Sequence, residues 1–131
     1  MKSFKRSEIE SEADQTQACK SLLASVVWIA INDGATAPIR RSRDGLPMGH
    51  DAFTAMRFLF DETVSGLNEY ANWLDFDAGQ FRTRLRKTMA NQSPHMIGGF
   101  EPIRRRHFRQ NYGMWLQLRD GYIAQLPEDD E

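Results

Sequence analysis

LNEYANWLDFDAGQFRTRLRKTM, residues 67–89, holds the boundary that decides how this chain folds. Before the boundary, Leu67, Tyr70, Ala71 and Leu74 recur at helical spacing, and Ser65 stands where such a helix takes its N-cap. A third helix over 65–74 follows. Asp75, Phe76 and Asp77 then interrupt the pattern, and a fourth helix starts at Ala78 and runs to about Met89. Two independent signals mark its start. Asp77 and Gln80 have the spacing of a capping box, in which a short side chain accepts the backbone N–H three residues on. Phe76 and Phe81 flank that cap at the positions of a hydrophobic staple.

Two helices joined by so short a turn can cross steeply, which needs a small residue at the crossing and apolar residues around the turn. Ala71 supplies the first. Leu74, Phe76, Phe81 and Leu85 supply the second, as one small kernel. The remaining surface of the fourth helix is polar and positive: Arg82 and Arg86 stand four apart, beside Gln80, Thr83 and Lys87. Such a face suits a major groove, so the unit at 65–90 is expected to be a helix-turn-helix with its recognition helix at 78–89.

Outward from this unit the chain is helical on both sides. Ser7 to about Asn32 reads as one helix, with Glu8, Glu10, Glu12 and Asp14 at its positive end and Leu22, Leu23, Val26, Val27 and Ala30 at helical spacing. Because Val26, Val27 and Ile29 are β-branched, a short strand at 25–31 competes with that reading. Residues 34–49 carry prolines, glycines and the Arg40, Arg41, Arg43 cluster without any period, and so form a long loop. A second helix spans Asp51 to about Glu62, with Phe53, Met56, Leu59 and Phe60 on its inner face. After a loop at 91–102 broken by Pro94, Gly98, Gly99 and Pro102, a last helix covers Ile103 to Tyr122. Its Phe108, Tyr112, Trp115 and Leu116 turn inward, and Arg104, Arg105 and Arg109 outward. A helix spreads three consecutive arginines too widely for one face, however, so one of Arg104–Arg106 must meet the core edge. Trp28, Trp73 and Trp115 all sit among apolar neighbours and are expected in the core.

The whole is therefore expected to be an all-α fold, a small helical domain of about five helices. One domain is expected over 1–126, with a disordered acidic tail at 127–131. A chain of 131 residues, 40% hydrophobic and 27% charged, has the composition of an ordinary globular domain. The longest apolar run, Leu22 to Ile31, is far short of the roughly 20 residues that span a bilayer. No secretory signal is legible at the N-terminus, and Cys19 has no cysteine to pair with, so a cytoplasmic protein is expected. His50, His95 and His107 lack metal-ligand spacing, and no cofactor is expected. Neither a GxxxxGK[ST] loop nor HExxH or GxSxG occurs, which argues against an enzyme.

The net charge of −1 conceals a segregation of signs. Between Gly79 and Arg109 stand eight bases against the single acid Glu101, whereas the first 78 residues hold twelve acids and eight bases. A basic segment masked by acidic ends is the electrostatic footprint of a nucleic-acid binder, because phosphate contacts supply most non-specific affinity.

The 67–89 run also resembles the helix-turn-helix in the fourth region of sigma factors, particularly the extracytoplasmic-function group. Ala71, Leu74, the Gly79-Gln80-Phe81 entry and the Thr83-Arg84-Leu85 step look like that family's small residue, turn leucine and recognition-helix pattern. Asp75 stands where a glycine is common, and no core-promoter-reading second region is found upstream. Small phage or prophage regulators carry comparable units. What the resemblance implies is promoter-type contact with double-stranded DNA through Gln80, Arg82, Thr83, Arg86 and Lys87, with Arg84 reaching a phosphate. Arg104, Arg105 and Arg109 would fasten a second helix to the backbone, and Arg40, Arg41 and Arg43 would add an auxiliary arm. The alternative is a factor that docks on RNA polymerase, for initiation or antitermination, through protein contacts. A lone unit of this kind binds tightly only with a second copy, as a homodimer, or with an auxiliary contact, and the sequence leaves that choice open.

Overall fold

A computed structural model describes residues 2–39, 48–64 and 66–129. They form five helices: α1 (Lys2–Gly34), α2 (His50–Phe60), α3 (Gly66–Leu74), α4 (Ala78–Ala90) and α5 (Pro102–Asp129). Among the described residues there is no strand, only one antiparallel bridge between Ile97 and Phe100. The all-helical expectation holds, and the β-branched run 25–31 is helix throughout. Helix α1 starts five residues before Ser7, since Lys2 to Arg6 contain neither glycine nor proline to stop it. Helix α5 begins on Pro102, whose missing N–H costs nothing in a first turn, and continues past Leu126 to Asp129. Ser65 and the Arg40, Arg41, Arg43 cluster lie outside the described residues.

The core gathers around α2. Ala52, Ala55, Met56, Leu59 and Phe60 are buried on it and meet Val27 and Ile31 of α1, Leu67 of α3, Leu85 and Met89 of α4, and Phe108 and Trp115 of α5. Phe60 is the aromatic hub, with ring centres 6.0 Å from Phe108, 4.6 Å from Tyr112 and 6.4 Å from Trp115. Helix α3 can come this close to α2 because Gly66 has no side chain: a Cβ there would stand 2.8 Å from the carbonyl oxygen of Phe58. In the α2–α3 connection Asp61 accepts from both the hydroxyl and the N–H of Thr63. These bonds, the hydroxyl's first, outweigh the effect of burial and hold its carboxyl below the usual carboxylate value.

Two of the three tryptophans are not in the core. Trp115 is buried, but Trp28 and Trp73 are each 50% exposed. Trp28 rests one edge on Phe100, 5.3 Å between centres, and Trp73 packs edge-on to Tyr70. Both helices bury a different stripe: Val27 and Ile31 on α1, Leu67 and Ala71 on α3. Each tryptophan lies beside that stripe and not in it. The Ile97–Phe100 bridge closes over Gly98 and Gly99, at φ 61° and 83°, a conformation that side-chain-bearing residues rarely adopt. This turn sits between Thr88 of α4 and Trp28 of α1.

One device recurs through the packing. The last carbonyls of a helix have no partner within it and must find one elsewhere. Here they are taken by side chains from other helices. Asn111 of α5, fully buried, donates to the carbonyls of Gly34 and Thr36 at the end of α1. Arg82 of α4 donates to Leu59 in the last turn of α2. Arg109 of α5 donates to Met89 at the end of α4, and Arg105 takes Asn91, the residue that caps α4. A guanidinium or amide placed there also meets the negative end of the helix dipole.

Candidate nucleic-acid interface

Helix α3 ends at Leu74, after which Asp75 takes the left-handed conformation at φ 60°. Asp is among the few residues with a side chain that tolerate it. The N–H of Phe76 then closes back on the carbonyl of Ala71 at 3.0 Å, the long bond of a Schellman stop. Asp77 is the N-cap of α4, its Oδ1 accepting from the N–H of Gln80 at 2.8 Å. The rings of Phe76 and Phe81 stand 5.2 Å apart. The three-residue turn at 75–77, its cap and its staple are thus where residue spacing places them. Ala71 and Leu85 are buried, while Leu74, Phe76 and Phe81 are partly so, around the turn.

Helix α4 divides differently from the sequence reading. Its buried residues are Arg82, Leu85 and Met89, spaced i, i+3, i+7. Arg82 is therefore not on the outer face with Arg86. It is 4% exposed, with Nε donating to Leu59 O at 2.7 Å and one Nη donating to Asn68 Oδ1 at 2.7 Å. Its other Nη lies 3.9 Å from the exposed carboxylate of Glu62. The register with Leu85 was the available clue, since a residue three before a core leucine shares its face.

What α4 turns to solvent is Gln80, Thr83, Arg84 and Lys87, again at i, i+3, i+4, i+7, flanked by exposed Arg86. Thr83 spends its hydroxyl proton on the carbonyl of Gly79. The guanidinium of Arg86 stands 5.8 Å from the centre of the Phe60 ring, close enough for a cation–π attraction that orients it. Among the described residues neither Arg84 nor Lys87 has an ion-pair partner. No acid lies on α4 itself. Asp75 and Asp77 make its entrance acidic, so the positive charge of this face is concentrated from Arg84 towards the C-terminal end.

The arginines of α5 are corrected in the same way. Arg105 is wholly buried and holds the chain after α4 by three carbonyls, those of Asn91, Ser93 and His95. It is the member of the triplet that meets the core. Arg104, half-buried, donates to Asn32 of α1 at 2.8 Å and lies 5.4 Å from the Phe100 ring centre. Arg109, also half-buried, is engaged with Met89. The exposed arginine of the triplet is Arg106, which was not singled out from the sequence although it is the one a helical wheel leaves opposite Phe108 and Trp115. Among the described residues no cluster of His, Cys, Asp and Glu can hold a metal ion, and no helix is long and apolar enough to cross a membrane. No protein-family model, no curated protein and no solved structure matches the chain.

Proposed function

We propose that α3 and α4 act as a helix-turn-helix that binds duplex DNA, with the outer face of α4 in the major groove. The observation that carries this is the face itself. Four polar residues, Gln80, Thr83, Arg84 and Lys87, form a continuous exposed strip with no acid and with two cations that have no ion-pair partner among the described residues, on a helix whose other side is anchored in the core. Arg84 and Lys87 are placed for phosphates or guanine edges, Gln80 for an adenine edge, and Arg86 for the neighbouring backbone. Arg82, Arg104, Arg105 and Arg109 are support for this surface and not part of it.

The test is fluorescence anisotropy with a labelled duplex at low salt. The Arg84→Glu/Lys87→Glu variant should bind at least about tenfold more weakly than the parent while keeping its helical circular dichroism, because both side chains are exposed. Equal binding by a folded variant refutes the proposal.

An aromatic row of exposed Trp73 and partly buried Tyr70 and Phe58, with successive ring centres 5.2 and 5.3 Å apart, favours a second reading: a factor that docks on a protein such as RNA polymerase. Aromatic residues left half exposed are what protein interfaces bury. Polymerase recovered by this chain from nuclease-treated lysate, and lost with Trp73→Ala, would favour that second reading.

A further inference from the structure

Between α4 and α5 the chain makes one tight turn, in which Ile97 and Phe100 pair through two backbone hydrogen bonds around Gly98 and Gly99. Both glycines are exposed, and neither N–H has a partner among the described residues. The turn is fastened to α4. A Cβ on Gly98 would come within 2.9 Å of Thr88 Cγ2, so the backbone there lies against the helix itself. At 100° per residue Thr88 follows Arg84 on one edge of the strip formed by Gln80, Thr83, Arg84 and Lys87, and Arg86 lies beyond the other edge. The strip is thus flanked by a cation on one side and by two unengaged N–H groups on the other.

Charge is distributed the same way. Arg105, wholly buried, donates to the carbonyls of Asn91, Ser93 and His95. Among the described residues no carboxylate pairs with it, and its Nε has no partner. Carbonyl dipoles orient a guanidinium without cancelling its charge, so its field emerges through the segment it holds. No acid stands between Ala78 and Phe100. The acids that border this segment, Glu101 and, next to Asn32, Asp33, are matched in number by Arg104, which is held on Asn32, and exposed Arg106. We infer that the turn at 97–100 is a second DNA contact, whose glycine tip lies on the phosphate backbone bordering the groove that α4 enters. The N–H groups of Gly98 and Gly99 there donate to phosphate oxygens. This rests on the reading of α4 as the helix in the groove. Two residues without side chains let a phosphate come close to the backbone. Because the donors are neutral, the contact adds affinity and leaves the salt dependence to the cations of α4.

Anisotropy with a labelled duplex at low salt compares the parent, His95→Glu/Met96→Glu and, as a control of equal added acid, Thr54→Glu/Gln117→Glu. All four positions are exposed, so circular dichroism should be unchanged in both variants. The first variant should bind at least about fivefold more weakly than the control, since only its acids stand beside phosphates. Cleavage reads position separately. In a Cys19→Ser background, iron–EDTA tethered at Met96→Cys should cut the duplex. Tethered at Gln117→Cys, roughly 20 Å along α5 from Pro102, it should leave the duplex intact. A parent that does not bind duplex overturns this inference together with the proposed function. Binding that Arg84→Glu/Lys87→Glu abolishes, but that the His95→Glu/Met96→Glu variant and the control share equally, overturns this inference alone. So does equal cleavage from the two tethers.

Discussion

Replacing Arg82 by alanine removes two charge-assisted hydrogen bonds, to Leu59 O and Asn68 Oδ1, each worth about 1.5–3 kcal/mol. It also leaves a carbonyl in the last turn of α2 unpartnered in the interior. The contact with Glu62 adds little, because that carboxylate is 76% exposed and 3.9 Å away. Taken together these losses amount to at least about 3 kcal/mol, a large share of the roughly 5–15 kcal/mol that holds a domain together. Arg84, two residues on and exposed, makes no comparable bond, so Arg84→Ala should change stability by less than about 0.5 kcal/mol. Urea unfolding followed by circular dichroism compares the two directly, with the shift in midpoint read at constant slope. An Arg82→Ala protein within about 1 kcal/mol of the parent would refute the structural role given to this arginine. It would return Arg82 to the candidate DNA contacts.

Three further outcomes follow from particular contacts. Asp75→Gly should stabilise the protein by about 0.5 kcal/mol, and Asp75→Val should destabilise it by more than about 1 kcal/mol, since only the first suits φ 60°; thermal melts of the two decide it. Gly66→Ala should cost about 1–3 kcal/mol by forcing α3 away from Phe58, and an unchanged urea midpoint would contradict so close an approach. Thr63→Val removes the hydroxyl that holds the Asp61 carboxyl down, so an NMR titration should show its pKa rising towards the usual value. Because the folded-state pKa is the depressed one, the stability it contributes is present above the ordinary carboxylate pKa. That contribution fades as pH falls through the folded value, and the variant should lose less stability over this acid range.

The turn at 75–77 was legible because every signal there is local. A cap, a staple and a left-handed Asp are fixed by residues within five of one another. The roles of the arginines were not legible, for the opposite reason. What decides whether Arg82 or Arg84 faces water is the carbonyl of Leu59, 23 positions away in the chain. For Arg105 the partners Asn91, Ser93 and His95 lie in a loop without periodicity. A run of cations in sequence reads as a charged surface, but a helix end elsewhere in the fold can claim any of them as a cap. The wheel positions of Leu85 for Arg82, and of Phe108 for Arg105, held part of that information. Trp28 and Trp73 misled in the converse way, since neighbours along the chain are not neighbours across a helix.

The dependence of duplex affinity on salt tests the central claim most directly. If Arg84, Arg86 and Lys87 each neutralise a phosphate, log K against log salt should fall with a slope of about −2.7, and Arg84→Ala/Lys87→Ala should flatten it to about −0.9. A parent and variant with the same slope, both folded, would show that the outer face of α4 does not meet the DNA backbone.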